Sequence, residues 1–83
     1  NSQLQTGKLI LQPNPAKGVV TVQMPGFTKL DEVSVYSTEG KRIIQQKNFL
    51  NGSQLNISSL KSGLYHIELR HGNETIQKKL VVE

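Results

Sequence analysis

We expect the fold to be organised around the segment LKSGLYHIELR, residues 60–70. Tyr65, Ile67 and Leu69 alternate with their neighbours, which is the two-residue period of a half-buried β-strand. Gly63 before them permits a sharp corner, and Leu60 can pack beneath it. A tyrosine soon after such a corner is typical of the tyrosine corner of β-sandwiches, in which its hydroxyl bonds to upstream backbone. The alternative is a plain strand with one buried tyrosine.

Six other segments have the pattern of short strands separated by turn signals, and no segment has a helical period. We expect Pro13, Asn14 and Pro15 to stop the first strand as a rigid elbow, because proline fixes φ and lacks an N–H. Gly40 lies in the turn of a predicted hairpin. These features predict an all-β, immunoglobulin-like antiparallel β-sandwich of about seven short strands. Besides residues 64–70, the predicted strands are residues 9–12, 19–24, 30–36, 41–49, 55–57 and 74–82.

Alternation within these strands predicts which side chains face the core. Val20, Val22 and Met24 share one face of their strand, and Val33 and Val35 share a face of the next strand, residues 30–36. In the last strand, Ile76, Lys78, Leu80 and Val82 share a face, whereas Gln77, Lys79 and Val81 share the other. A lysine at an inward position suggests an edge strand, where charge blocks unwanted pairing. The adjacent Ile43 and Ile44 leave the face of their strand open.

Length and charge set the class of protein. The chain has 83 residues and a net charge of +4, with a pI of about 9.6, and it contains no cysteine. We therefore expect one small domain without disulfides. Nucleic acid is not an expected partner, because the basic residues are scattered and four aromatics make a poor stacking platform. No stretch has the apolar length of a membrane-spanning helix. We interpret residues 1–8 as the end of a linker in a longer precursor.

Candidate catalytic groups are sparse. His66, Glu68 and Arg70 project from one face of one strand, which permits a metal site or an acid–base pair. A metal site needs a third ligand and supporting contacts, so a solvated outer face is the favoured interpretation. No cysteine nucleophile exists, no base adjoins a serine by motif, and the glycines are isolated turn residues. The sequence therefore predicts a protein that is not an enzyme and has no cofactor or metal.

Four short motifs occur in a characteristic order. They are the Pro13-Asn14-Pro15 elbow, the hairpin VSVYSTEGKRI (residues 33–43), the stretch LNISSLKSGLYHIEL (residues 55–69) and the terminal KKLVV (residues 78–82). Together they resemble the C-terminal sorting domain of cargo proteins of the type IX secretion system of Bacteroidetes. The resemblance covers residues 9–83. It divides the chain into a linker end, residues 1–8, and this domain.

The resemblance implies a function and a set of partners. Such domains follow a secreted cargo in the chain, are recognised in the periplasm and direct the cargo through an outer-membrane translocon. A sortase-like protease commonly cleaves before the domain, and the cargo is then anchored at the surface or released. The alternative that we consider is an immunoglobulin-like adhesive or carbohydrate-binding module of a surface enzyme.

The resemblance also assigns roles to matching residues. Most are expected to determine the fold, and the last strand is expected to carry recognition, because a terminal edge strand offers backbone groups to a receptor. An exposed edge could also support a homodimer. One departure is the final Glu83, where family members often have a basic residue, and it leaves open a variant that retains its domain. The fold residues are Pro13, Asn14, Pro15, Gly40, Gly63 and Tyr65, and the recognition residues are Lys78, Lys79, Leu80, Val81 and Val82.

Overall fold

The structure, a computed structural model, describes residues 8–83 and is all-β. Apart from Lys8, the predicted linker end lies outside the described residues. No helix within residues 8–83 is long and apolar enough to span a membrane. The seven strands are β1 (Ile10–Lys17), β2 (Val19–Gln23), β3 (Lys29–Ser37), β4 (Arg42–Leu50), β5 (Gln54–Asn56), β6 (Gly63–His71) and β7 (Glu74–Val82).

The strands form two sheets that share β1. The order is β4-β3-β6-β7-β1-β2-β5, and every neighbouring pair is antiparallel except β1 with β7. The larger sheet contains β4, β3, β6, β7 and the end of β1, and the smaller one contains the start of β1 with β2 and β5. The predicted immunoglobulin-like β-sandwich class is therefore confirmed.

Strand β1 passes from one sheet to the other at the proline elbow. Before the elbow, Gln12 pairs with Thr21 of β2, and after it Ala16 pairs with Val82 of β7. The peptide bond between Gln12 and Pro13 is cis. The expectation that the prolines end the first strand was wrong. Proline remains compatible with extended backbone where no ladder donor is needed, so the chain turns without leaving the strand.

The core lies between the sheets and contains the side chains that alternation predicted. The smaller sheet contributes the buried side chains of Val20, Val22 and Met24, and the larger sheet contributes those of Val33 and Val35. Burial of such aliphatic side chains contributes about 1.5–3 kcal/mol each, which is the main favourable term in a domain of this size. The other buried apolar residues are Leu9, Leu11, Ala16, Leu30, Phe49, Leu55, Ile57, Ile67, Leu69, Leu80 and Val82.

A bulge in the β3–β4 hairpin separates the two adjacent isoleucines. The register shifts between Val35 and Tyr36, where Val35 pairs with Ile44 and Tyr36 pairs with Arg42. Ile43 falls between these pairs and is exposed, whereas Ile44 packs against the core. A bulge places two residues of one strand opposite one of its partner, so the simple alternation breaks there.

Candidate recognition strand

Strand β7 presents two chemically different faces. It pairs with β6 along its full length, from His71↔Glu74 to Gly63↔Val82. The predicted recognition residues divide between these faces by alternation. Leu80 and Val82 are buried, whereas Lys79 is exposed and Val81 is 39% exposed. A partner that approaches the folded domain therefore meets the side chains of Lys79 and Val81 and not those of Leu80 and Val82.

Lys78 points toward the core side of β7, as alternation predicted. Its side chain is half-buried, and its Nζ donates a hydrogen bond to the main-chain oxygen of Leu9 at 2.8 Å. An ammonium group that loses water on burial requires such an acceptor. Lys78 therefore joins the last strand to the start of the first one, and its role in the structure is an internal contact.

The C-terminal half of the β7 edge is covered by the proline elbow. The side chain of Asn14 accepts a hydrogen bond from the Val81 N–H at 3.2 Å and donates one from Nδ2 to the Lys79 oxygen at 3.4 Å. The Glu83 N–H donates to the Ala16 oxygen at 2.8 Å. The expectation of an edge strand therefore holds only for the N-terminal half of β7, because Asn14 and Ala16 act as its neighbour beyond that point.

The tyrosine corner is confirmed. The Tyr65 hydroxyl donates to the Lys61 main-chain oxygen at 2.8 Å, and its ring packs against the core together with Leu60. Gly63 has φ 153° at the start of β6, and Gly40 has φ 89° in the β3–β4 turn. Residues other than glycine rarely adopt these φ angles, which accounts for glycine at both positions. Gly63 and Tyr65 fix the entry of β6, the strand that pairs with β7.

The outer face beside Lys79 and Val81 is partly apolar. Leu64 pairs with Val81 across β6 and β7, and His66 pairs with Lys79 in the next row. Leu64 is 41% exposed, so the two aliphatic side chains form a small apolar pair at the surface. This face combines apolar area with one cationic group, which suits contact with a protein surface.

A carboxylate lies at the centre of the outer face of the larger sheet. Glu32 accepts a hydrogen bond from the Gln45 side chain and forms ion pairs with Arg70 at 3.5 Å and Arg42 at 3.8 Å. The bond from Gln45, with the charges of Arg70, Arg42 and Lys47, lowers the pKa of Glu32 from its ordinary value, against an opposing effect of burial. The arrangement holds the carboxylate ionised and joins three strands.

The predicted outer-face trio forms no metal centre. Arg70 forms an ion pair with Glu32. Glu68 accepts hydrogen bonds from Gln77 Nε2 at 3.0 Å and from the Tyr36 hydroxyl at 3.4 Å. Within residues 8–83 no group of three or more His, Cys, Asp or Glu side chains could hold a metal ion.

Two asparagines have roles that the sequence did not indicate. Asn14 covers β7, although it was expected only to form an elbow. The side chain of Asn51 accepts a hydrogen bond from the Met24 N–H at 2.7 Å and donates to the main-chain oxygens of Met24 and Phe27 at 2.6 and 2.5 Å. These partners lie 24 or more residues away in the chain, so no local sequence pattern predicts them.

The fold defines a small β-sandwich module whose last strand is bonded to the proline elbow along its C-terminal half. A family model described as a secretion system C-terminal sorting domain matches residues 10–83, and the chain belongs to this family of type IX secretion sorting signals. The resemblance noted from the four motifs is thereby confirmed. The family is non-catalytic. No curated protein matches the chain.

Proposed function

We propose that this chain is a non-catalytic sorting signal that directs an attached cargo across the outer membrane by presenting the outward face of β7 to the secretion machinery. The family match over residues 10–83 is the observation that carries the proposal. The exposed Lys79 and Val81 support it, because they are the members of the predicted recognition set that a partner can touch in the folded domain.

The route of the cargo follows from the same proposal. The fusion crosses the periplasm, reaches an outer-membrane translocon and is displayed on the surface or released. A sortase-like protease cleaves near the start of the domain, close to residues 1–8, and the cargo is then anchored. The domain itself needs no cofactor or metal and binds no nucleic acid.

A reporter fusion tests the proposal. Residues 1–83 are placed behind a fluorescent protein with its own periplasmic export signal, in a type IX-competent host and in an isogenic strain without the translocon. We expect reporter on the surface or in the medium of the competent host alone. The control is the reporter without residues 1–83, which should remain in the periplasm of both strains.

Retention of the folded fusion in both strains would contradict the proposal. The domain would then be better described as an adhesive or carbohydrate-binding module. Binding of the isolated domain to a glycan array, lost on substitution of exposed residues, would support that different class.

A further inference from the structure

The main-chain groups of β7 face two neighbours alternately. Lys79, Val81 and Glu83 direct their groups toward the elbow, as their bonds to Asn14 and Ala16 show. In an antiparallel ladder every second residue points its N–H and C=O to the same side. The groups of Thr75 and Gln77 therefore point to this same edge.

No strand within residues 8–83 pairs with that N-terminal part of the edge. In the part of the chain that the structure describes, β1 forms one ladder pair with β7, Ala16↔Val82, and the bonds of Asn14 reach no further back than Lys79. Within residues 8–83 the main-chain N–H groups of Thr75 and Gln77 accordingly have no partner in a neighbouring strand on that side. An uncovered row of such groups is a template for another extended chain.

We propose that the β7 edge from Thr75 to Lys79 receives an extended segment of a secretion-machinery protein by strand addition, and that Asn14 sets where this site ends. The inference rests on the proposed function, since it specifies how the machinery reads β7. The main chain of the segment pairs with Gln77, and its path beyond Lys79 is blocked by the elbow.

Side chains next to the edge define the chemistry of the segment. Ile76 is half-buried and packs against the core from one face of β7, so an apolar side chain of the segment would complete its burial. Lys79 is exposed on the other face, where a carboxylate of the segment would meet its charge. The fitting partner is therefore an extended segment that alternates an apolar residue with an acidic one.

A second copy of this chain fits the edge less well. The unpaired part runs only from Thr75 to Lys79, and alternate residues point to the edge, which allows few main-chain bonds. The area buried by so short a ladder is well below the roughly 1,200–2,000 Å² of a stable interface. A secretion-machinery protein can also contact the Leu64–Val81 pair next to the ladder. Two copies of this chain that pair through their short edges would bury little area beyond the ladder itself.

The main-chain donor of Gln77 can be removed by Gln77→Pro, because proline is tolerated at a strand edge where the N–H is unused. In the reporter fusion, we expect Q77P to reduce export at least tenfold with Tm within a few degrees of the parent domain. Gln77→Ala removes the side chain and its bond to Glu68 but keeps the N–H, so we expect it to export at least fivefold better than Q77P. Lys47→Pro, on β4 at the opposite edge of the sheet, is the control and should export normally.

Export of a folded Q77P fusion at the parental level would overturn strand addition, while translocon-dependent export of the parent would leave the proposed function standing. A photo-crosslinking residue at position 77 identifies the occupant in living cells. We expect an adduct with a secretion-machinery protein, and an adduct with a second copy of the chain would contradict the proposal.

Amide hydrogen exchange tests the role of Asn14. We expect Asn14→Ala to accelerate exchange of the Val81 N–H at least tenfold, because its acceptor is lost. Asn14→Asp keeps an acceptor oxygen and should leave that amide near its original rate. The Gln77 amide should exchange rapidly in all three proteins, and slow exchange at Gln77, or an unchanged Val81 amide in N14A, would show that the boundary is placed wrongly.

Discussion

Tyr65 joins strand β6 to the loop before it through one hydrogen bond. Replacing it by phenylalanine keeps the ring in the core but removes the donor to the Lys61 oxygen. We expect Tyr65→Phe to lower the free energy of unfolding by about 1 kcal/mol, the usual net value of such a bond. Urea unfolding followed by circular dichroism measures this loss.

Tyr36→Phe is the matched control for that measurement. The Tyr36 hydroxyl lies 3.4 Å from Glu68, a long hydrogen bond, so its loss should cost less. An equal or larger loss in Y36F than in Y65F would contradict the structural role assigned to the corner.

Glu32 should make stability depend on pH. Its pKa is lowered in the folded domain from an ordinary value of 4.5, so the unfolded chain takes up the proton first. The contribution of the carboxylate is complete above pH 4.5 and is lost as the pH falls through the lowered pKa. We expect Glu32→Gln to be less stable than the parent at pH 7, with a difference that shrinks below pH 4.5.

Thermal unfolding at a series of pH values checks this expectation. Glu39→Gln, in the exposed β3–β4 turn, is the control and should leave the parental stability profile unchanged. A stability difference between E32Q and the parent that stays constant down to pH 2 would show that the ion pairs of Glu32 do not act through its ionisation.

Local patterns predict those residues whose environment is set by their own strand. Val33 and Tyr65 were placed correctly because alternation and a nearby glycine determine where they point. Glu32 and Asn51 received no role from the sequence, and Asn14 only one in the elbow, because their partners come from other parts of the chain. Glu32 is flanked by strands on both sides, and no motif within its own strand specifies the partners that bury it.

At the scale of elements, the two neighbouring lysines of β7 should separate stability from recognition. Lys78→Ala removes the bond to the Leu9 oxygen, so we expect the free energy of unfolding to fall by about 1–3 kcal/mol. Lys79→Ala alters an exposed side chain, so stability should change by less than about 0.5 kcal/mol. Denaturant unfolding of the two variants measures the difference.

The same variants in the reporter fusion complete the comparison. We expect K79A to lower export without loss of folded protein, and K78A to lower export only as far as folded protein is lost. Normal export by K79A, with K78A defective although folded, would reverse the assignment of the two faces.

Element boundaries were predicted well where turns are local and poorly where a strand serves two sheets. The β3–β4 hairpin and β7 were found close to their expected positions. Strand β1 was expected to end at Pro13 and instead continues to Lys17, because its second half has a partner in β7. That partner is 66 residues away in sequence, and no pattern within β1 specifies it.

For the whole molecule, β7 supplies part of the core as well as the proposed signal. Leu80 is fully buried, so Leu80→Ala should lower the free energy of unfolding by about 2–5 kcal/mol. That is a large share of the roughly 5–15 kcal/mol typical of whole domains. Val81→Ala, on the outer face, should cost less than about 1 kcal/mol, and urea unfolding compares the two.

Comparable losses in L80A and V81A would contradict the assignment of inward and outward faces. Deletion of residues 78–83 is a less informative experiment, because it removes both Leu80 and Val82 from the core. Retention of such a cargo in the periplasm would follow from unfolding as readily as from a missing signal.

Because Ala16 pairs with Val82, the fold can be completed only after β7 has been synthesised. The elbow has nothing to bind until β7 has been synthesised, and Lys78 closes the sandwich against Leu9 only then. Contacts this distant in sequence form late in folding. A ribosome that stalls before β7 therefore releases a chain without a finished domain, and an exporter that reads the folded domain would pass chains that contain all seven strands and leave such truncated chains behind.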